Sequence, residues 1–309
     1  MTGEGRREIL VAEPETAGER LDRFIVRRLG DVSRKAVKRA LDGGRIFVDG
    51  RSEGRAGLLL AGGERVTLTL DLPAPPRMAP ALPILYRDAV LLAVDKPAGL
   101  PVHPTGDGGP NALEGLDSLL HSRERGERPI LLHRLDVDTT GVLLFALHAA
   151  ANRALAGQFA GREVEKRYLA LVAGAPPPFF RVENRLRPGM RGRTVIVTKG
   201  GQSAISEFRT LGRGDGFSLV EASPRTGRTH QIRVHLAGEG FPLLGDILYG
   251  GPVTLPLGGE RVAVPRHLLH AARLRFRHPT TGDGCTIEAS PPADFLPYLE
   301  RISRTPSIR

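Results

Sequence analysis

The sequence is poor in the residues that build disulfides, zinc sites and aromatic sugar-binding platforms. Its 309 residues include one cysteine, no tryptophan and four tyrosines. A lone Cys285 excludes an internal disulfide and a multi-cysteine zinc site, and it favours a reducing compartment. No apolar run approaches the roughly 18 residues that cross a bilayer, and the first residues lack the apolar core of a signal peptide. We therefore expect a cytoplasmic protein that is not inserted in a membrane.

Positive charge is what the chain has in excess. It carries 44 Lys and Arg residues against 34 Asp and Glu residues, a formal net charge of +10. Such a field attracts polyanions, of which nucleic acids come first and acidic membrane surfaces second. The charge predicts a class of partner and leaves the reaction open.

Residues 18–50 have the pattern of two short helices followed by a strand. Apolar side chains recur with helical period at Leu21, Phe24, Ile25 and Leu29, and again at Val37 and Leu41. Gly30 is expected to end the first helix, Ser33 to cap the second, and Gly43 to stop it. Alternation at Ile46 and Val48 then predicts a strand.

The polar faces of these two helices are strongly basic. Residues 19–50 hold nine Lys and Arg side chains against five Asp and Glu side chains. The segment resembles the alpha-L RNA-binding motif over residues 18–72, which implies a small RNA-binding domain. The candidate RNA contacts on the second helix are Arg34, Lys35, Lys38 and Arg39. A merely solvated helix surface is the alternative.

Five prolines in residues 73–83 predict a semi-rigid linker, and residues 84–302 then form the larger domain. Its strand-like runs are 84–94, 141–147, 166–173, 194–198, 204–211 and 217–222, and its helical patterns are 111–121, 149–161, 229–237 and 291–302. Strands outnumber helices without a strict βαβ alternation, which favours an α+β fold with a mixed, largely antiparallel sheet. The last residues, from 303, are expected to fray.

A cluster of charge precedes the apolar run 141–147, with carboxylates at Asp136 and Asp138. Simple turn chemistry explains such residues at a strand entrance. Two carboxylates two residues apart on a strand would lie roughly 6.5 Å apart, a spacing that glycoside hydrolases also use. A chain without tryptophan is badly equipped for a sugar platform, however. The histidines show no H-E-x-x-H pattern, so no metal site is predicted.

Two further stretches could carry chemistry. Thr229 is a candidate N-cap for a short helix, which would place Arg233 one turn inside it and aim that cation at a fixed partner. Tyr168 stands between two cations and an apolar strand. An aromatic ring among cations is one way to hold an unstacked base, although core packing is the commoner use of such a tyrosine.

Together these stretches resemble the RluA-type pseudouridine synthases, which isomerise uridines in ribosomal and transfer RNA. The resemblance covers residues 84–290 and is carried by LAVDKPAGLPVHP, HRLDVDTTGVLLFAL, VEKRYLALV, TGRTHQIRVHL, GDILYG and LLHAARLRF, in that order. It implies that Asp136 is the catalytic carboxylate and that Arg134, grouped with His133, fills the space left by a flipped base. It also implies that Tyr168 packs on the uracil and helps to remove the proton from carbon 5, and that Arg233 pairs with the carboxylate, so that Asp136, Tyr168 and Arg233 form the catalytic set.

The resemblance implies an isomerase that uses no cofactor and no metal, with RNA as its partner, and we expect a monomer. Large-subunit rRNA is the expected target and tRNA the alternative. Two rivals from other classes remain: an RNA-binding ribosome-assembly factor without activity, and a nucleoside or glycan hydrolase that uses Asp136 and Asp138.

Overall fold

The computed structural model describes residues 6–30, 32–70, 80, 82–105, 109–120, 129–257 and 259–304. The chain divides into two compact units, Met1–Arg77 and Met78–Arg309. Most of the predicted linker, the end of the predicted helix at residue 121 and the last five residues of the predicted tail lie outside the described residues.

The first unit is a four-stranded antiparallel sheet with two helices. Its elements are β1 (Arg6–Val11), α1 (Leu21–Leu29), α2 (Arg34–Asp42), β2 (Ile46–Val48), β3 (Arg51–Ser52) and β4 (Arg65–Leu70). The strand order is β1-β4-β2-β3, so the first and last strands of the unit pair with each other. Strand β1 precedes residue 18, where the predicted domain begins, and sequence reasoning did not find it.

The two helices form where the apolar spacing predicts them. Gly30 ends α1 with a φ of 68°, a left-handed conformation that glycine adopts without strain. The Ser33 side chain accepts a hydrogen bond from the Ala36 amide at 3.3 Å and so caps α2. The buried face consists of Leu21, Phe24, Ile25, Val37, Ala40 and Leu41, packed with Ile46, Val66 and Leu68 of the sheet. Burial of this stripe, rather than helix propensity, stabilises helices as short as nine residues.

The second unit is built on one large sheet. Its strands are β5 (Ile84–Arg87), β6 (Leu91–Lys96), β7 (Ile130–Leu131), β8 (Thr140–Ala146), β9 (Glu165–Ala173), β10 (Phe179–Pro188), β11 (Thr194–Val197), β12 (Gln202–Arg213), β13 (Phe217–Pro224), β14 (Thr254–Leu257), β15 (Glu260–Ala263), β16 (Leu269–Arg277), β17 (Gly284–Glu288) and β18 (Ser303–Arg304). Its helices are α3 (Ala112–Leu120), α4 (Ala149–Ala160), α5 (Gln231–Gly238) and α6 (Leu296–Leu299).

The sheet is mixed and largely antiparallel, which confirms the predicted α+β class. Its main path is β11-β10-β12-β13-β9-β16-β8-β6-β5, and β14 and β15 form a separate hairpin. Among the described strand pairs, β8 and β16 are parallel and the others are antiparallel. The strand-like runs found in the sequence form strands here, although the run 84–94 is divided into β5 and β6. Strands β7, β10 and β14 to β18 were not predicted.

Two predictions near the C-terminus are wrong in part. The helix expected over 291–302 is reduced to a 3₁₀ turn (Ala293–Phe295) and the four-residue α6. Prolines at 291, 292 and 297 lack the amide donors that a continuous helix needs. The start of the expected frayed tail is ordered, because Ser303 and Arg304 pair with Arg213 and Gly212 of β12.

Candidate active site

The turn that carries Asp136 is held by two buried cations. The Thr139 amide donates to the Asp136 carbonyl at 3.1 Å, which closes a tight turn just before β8. Lys96 Nζ donates to the Val137 carbonyl at 2.7 Å, and Arg266 Nη1 donates to the Asp138 carbonyl at 2.8 Å. A tight turn is therefore present, but backbone groups and the two cations hold it, and no described backbone amide donates to the side chain of Asp136 or Asp138. Asp136 and Asp138 lie before the strand and not on it, so the strand spacing invoked for paired carboxylates does not apply.

Lys96 is fully buried at the end of β6 and also donates to the Pro97 and Leu100 carbonyls, each at 2.8 Å. Burial lowers the pKa of its ammonium to about 8, against a smaller opposing effect of the Asp138 charge. Three carbonyl acceptors satisfy its three donors. Lys96 thus links the end of β6 to the turn that presents Asp136.

The parallel junction of β8 and β16 fixes the other side of this turn. Gly141 has a φ of 107°, and a Cβ there would collide with the Ala271 backbone, so the close approach requires glycine. Thr139 Oγ1 lies 3.0 Å from His267 Nε2, and Thr140 Oγ1 lies 2.8 Å from His270 Nδ1. The Thr-Thr-Gly sequence after the carboxylates therefore locks the turn to β16.

Arg233 is the centre of the charge network. Its Nη1 lies 3.1 Å from Asp136 Oδ2, while its Nε and Nη2 donate to the two oxygens of Asp246 at 2.7 and 2.8 Å. Arg233 is 7% exposed and Asp246 only 1%. Burial alone would lower the pKa of Arg233, but the hydrogen bond to Asp246 and the charges of Asp246 and Asp136 raise it overall. A bidentate pair of this kind fixes the guanidinium plane, which aims the remaining donor at Asp136.

Helix α5 carries Arg233, but Thr229 does not cap it. The N-cap is His230, in a left-handed conformation with a φ of 54°, and its side chain makes no capping bond. Gln231 stabilises the turn instead, because its Oε1 accepts from the Arg228 amide at 3.0 Å and from Thr226 Oγ1 at 2.7 Å. The predicted N-cap at Thr229 was wrong, because the helix begins only after His230.

His230 lies at the edge of the same network. Its Nε2 is 4.0 Å from Asp136 Oδ2, and its Nδ1 is 3.0 Å from the Tyr249 hydroxyl. The Arg233 guanidinium lies over the Tyr249 ring, 5.2 Å from its centroid. Burial lowers the pKa of His230, against the opposing charge of Asp136. A non-glycine residue held at positive φ is costly and occurs often at functional sites.

Tyr168 on β9 is partly buried between two hydrophobic clusters and lines the cleft in which Asp136 lies. Burial raises the pKa of its hydroxyl, and the negative charge of Asp136 raises it further. The hydroxyl is therefore protonated at neutral pH. Within the described part of the chain it has no hydrogen-bond partner, so it remains free to meet a ligand.

His133 and Arg134 are adjacent in sequence but differ in environment. His133 Nε2 accepts a hydrogen bond from the Leu144 amide of β8 at 3.1 Å, and its ring stacks on Phe159 with centroids 5.4 Å apart. Burial, and secondarily the Lys166 charge, lower the pKa of His133 to about 3, so the ring is neutral. Arg134 is exposed, and no ion pair or hydrogen bond to another described residue restrains its guanidinium.

These residues enclose a cleft of about 390 Å³, within the range of small-molecule sites. The sequence-predicted residues that line it are His133, Arg134, Asp136, Tyr168 and Arg233. The predicted residues Arg34, Lys35, Lys38 and Arg39 belong to the first unit, on α2.

Sequence reasoning missed four residues that build this site: Lys96, His230, Asp246 and Arg266. All but Arg266 fall within the motif strings, but nothing in the strings shows what these residues touch. In the described ranges no helix is long and apolar enough to span a bilayer. The same ranges contain no group of three or more His, Cys, Asp or Glu residues that could hold a metal ion.

Comparison with known proteins gives concordant matches. The family model described as RNA pseudouridylate synthase matches residues 90–238. An uncharacterised RNA pseudouridine synthase of Bacillus subtilis is 33% identical over 96% of this chain and 98% of its own length. A Xanthomonas campestris protein named ribosomal large subunit pseudouridine synthase D is 35% identical over 94% of this chain and 91% of its own. The structure of human RNA pseudouridylate synthase domain containing 1 superimposes with a TM-score of 0.56 and 30% identity, covering 75% of this chain and 92% of the human one.

Proposed function

We propose that this chain, which belongs to the RNA pseudouridine synthase family, isomerises specific uridines of large-subunit ribosomal RNA with Asp136 as its catalytic carboxylate. Members of this family are isomerases with RNA as substrate. Beyond family membership, we propose the class of RNA that is modified and the role of each side chain in the cleft.

The observation that carries the proposal is the geometry around Asp136. A carboxylate at the wall of an open cleft accepts a hydrogen bond from a buried arginine, which a second carboxylate, Asp246, holds in place. A hydrogen bond from a guanidinium held in this way restricts the rotation of the carboxylate. Asp136 is thus positioned to act as a nucleophile or a base on a ribose that enters the cleft.

The reaction breaks the bond between ribose C1′ and uracil N1 and forms a bond between C1′ and C5. The hydrogen on C5 is lost and N1 gains one, so the product has the composition of the substrate. Asp136 either attacks C1′ and is later displaced, or removes a ribose proton to give a glycal that adds back through C5. Both routes require a carboxylate that is held in one orientation, and the hydrogen bond from Arg233 restrains Asp136 in this way.

The target base must leave its stack, at a cost of a few kcal/mol. We assign Arg134 to the space that the base vacates, because its guanidinium is exposed and unrestrained by the described residues. His133 supports that role by anchoring the Arg134 segment to the Leu144 amide. Tyr168 packs against the uracil, and its protonated hydroxyl serves as a hydrogen-bond donor rather than as a phenolate base.

The choice of large-subunit rRNA is supported by the Xanthomonas relative, whose printed name gives that target. A tRNA uridine isomerase of the same family is the second candidate. We place the reaction in the cytoplasm, with a monomeric enzyme. We further propose that the first unit is an RNA clamp of the alpha-L type, because Arg34, Lys35, Lys38 and Arg39 are exposed on α2.

Mapping pseudouridine in rRNA and tRNA from a strain that lacks this gene tests the target. We expect specific sites to be lost from large-subunit rRNA and restored by the wild-type gene. The purified protein should then modify an rRNA fragment that contains the same site. Loss of sites from tRNA alone would overturn the rRNA assignment, and release of free uracil or sugar would indicate a hydrolase instead.

A further inference from the structure

A second cavity adjoins the catalytic cleft and shares part of its wall. It encloses about 440 Å³ between the end of α4, the start of β9 and the loop after β13. The side chains common to both spaces include Phe159, Lys166, Thr226 and Arg228, together with the backbone of Gly227. A polymer that places one residue in the cleft therefore has this second cavity directly beside it.

Lys166 occupies the shared wall. It precedes Tyr168 by two residues on β9, so the alternation of a strand places both side chains on one face. Its ammonium lies 5.9 Å from the centroid of Phe159, and a Cβ built on Gly227 would lie 3.7 Å from Nζ. No hydrogen bond or ion pair to any described residue satisfies this ammonium. A partly desolvated cation without a counterion is unfavourable, and burial accordingly lowers the pKa of Lys166.

The other charges around the cavity leave an excess of cations. Of the acidic residues at its wall, Glu165 is paired with Arg167. Arg228 donates to the Ser203 carbonyl through Nε at 3.1 Å, and no other described residue accepts a hydrogen bond from its terminal nitrogens. Arg225 at the same wall is paired with Glu207, and Arg162 and Glu163 add one cation and one carboxylate. Lys166 and Arg228 are therefore the cations that an anionic ligand would meet on the side nearest the cleft.

We propose that this cavity is a phosphate subsite, in which Lys166 and Arg228 bind a backbone phosphodiester adjacent to the uridine held in the cleft. The inference rests on the proposed function, because that function puts a ribose beside Asp136. The phosphates attached to that ribose are the anions nearest to it, and Lys166 and Arg228 line both the cleft and the second cavity. Lys166 is then a substrate-binding residue that locates the backbone while Asp136 acts on the sugar.

The test asks whether removing the charge of Lys166 and removing the charge of one RNA phosphate affect binding independently of each other. Lys166→Met retains the apolar stem and removes the ammonium, Lys166→Arg retains the charge, and Lys199→Met is the matched control at an exposed position. Binding is measured on RNA oligonucleotides that carry a single neutral methylphosphonate at each linkage flanking the target uridine. A charge-assisted hydrogen bond is worth about tenfold or more in affinity.

We expect Lys166→Met to weaken binding about tenfold, to reduce the salt slope by about 0.7, and to leave the melting temperature unchanged or higher. One neutral linkage should cost wild type a similar factor and cost Lys166→Met nothing further. Lys166→Arg and Lys199→Met should behave as wild type. Arg228→Gln should give the same coupling to that linkage if Lys166→Met does not fold.

Additive effects at every linkage would overturn the subsite, as would a Lys166→Met protein with wild-type affinity and a lower melting temperature. The latter result would make Lys166 a packing residue for Phe159. Since binding is the readout, the subsite is judged apart from the reaction. Wild-type protein that forms no pseudouridine on any RNA but shows the coupling would contradict the proposed function and leave the subsite standing.

Discussion

The two units of the chain use arginine and lysine in opposite ways. In the second unit Arg233 is buried, bound by two carboxylates and unable to turn. On α2 of the first unit four cations are exposed, and within the described residues none of them has an ion pair. A fixed cation positions a reacting group, whereas a free one is available for phosphates and is sensitive to salt.

The contrast continues within the first unit itself. On and beside α1, Arg20 pairs with Asp22, Arg27 with Glu19 and Arg28 with Glu13, at 2.7–3.1 Å. A paired arginine must exchange its carboxylate for a phosphate before it can contribute to RNA binding. Position on α1 or α2 therefore matters more than the total charge of the segment.

The largest expected effect is the difference in activity between variants of Asp136 and Asp138, the two carboxylates of the H-R-L-D-V-D stretch. Asp136→Asn keeps the shape but removes the nucleophile or base, so pseudouridine formation should fall at least a thousandfold, roughly 4 kcal/mol of barrier. Asp138→Asn should cost less than about tenfold, because only its backbone carbonyl is engaged with Arg266. Single-turnover assays of both variants decide this. Equal losses of activity in the two variants would support the hypothesis that both carboxylates act in catalysis.

Next in size is Asp246→Asn, which removes one of the two charges that hold Arg233. Leaving a buried arginine partly uncompensated should cost about 3 kcal/mol of unfolding free energy, and freeing its side chain should lower kcat by about tenfold to a hundredfold. Urea unfolding and kinetics measure the two effects. The control is Glu183→Gln, which breaks the exposed pair with Arg181 and should change neither by much. An unaltered kcat in Asp246→Asn would show that Arg233 needs no support.

The pairing of Asp246 with Arg233 is an example of a feature that the sequence alone did not predict. Local signals were sufficient for α1, α2 and β8, because their apolar spacing or continuous apolar run is visible along the chain. Strand β10 was missed although its burial alternates with period 2, because Asn184 interrupts the inward series of Phe180, Val182 and Leu186. Pairing of Asp246 with Arg233, and of Lys96 with the Val137 carbonyl, depends on chain segments that meet only in the fold.

A smaller effect is expected from the surface charges of the first unit. Replacing Lys35, Lys38 and Arg39 by Gln should lower the slope of log affinity against log salt by about 2, since each lost phosphate contact removes about 0.7 of a released counterion. The matched variant replaces Arg20, Arg27 and Arg28, an equal charge, and should change the slope much less because these side chains are already paired. Titrations at several salt concentrations compare the two. Equal slopes would mean that the pairing on α1 does not matter.

The smallest expected effect is a loss of stability in acid, and we expect it in the second unit rather than in the first. All nine histidines lie after residue 77, so the first unit contains none. Burial lowers the pKa of His235 and His267 to about 4 and that of His133 to about 3, well below the value of about 6.5 in an unfolded chain. Below that value the unfolded state binds more protons than the folded state. The stability of the second unit should therefore be complete above pH 6.5 and decline as the pH falls toward 4.

His235→Gln tests this on the full chain. His235 Nε2 lies 3.0 Å from Asn184 Oδ1, and an amide can supply a donor there without taking up a proton. The variant should lose less stability than wild type between pH 7 and 6, by up to about 1 kcal/mol, in calorimetry that follows the transition of the second unit. His103→Gln, at an exposed position, is the control and should retain the wild-type pH dependence. An equally steep decline in His235→Gln would mean that protonation of this buried ring does not drive acid unfolding of the catalytic unit.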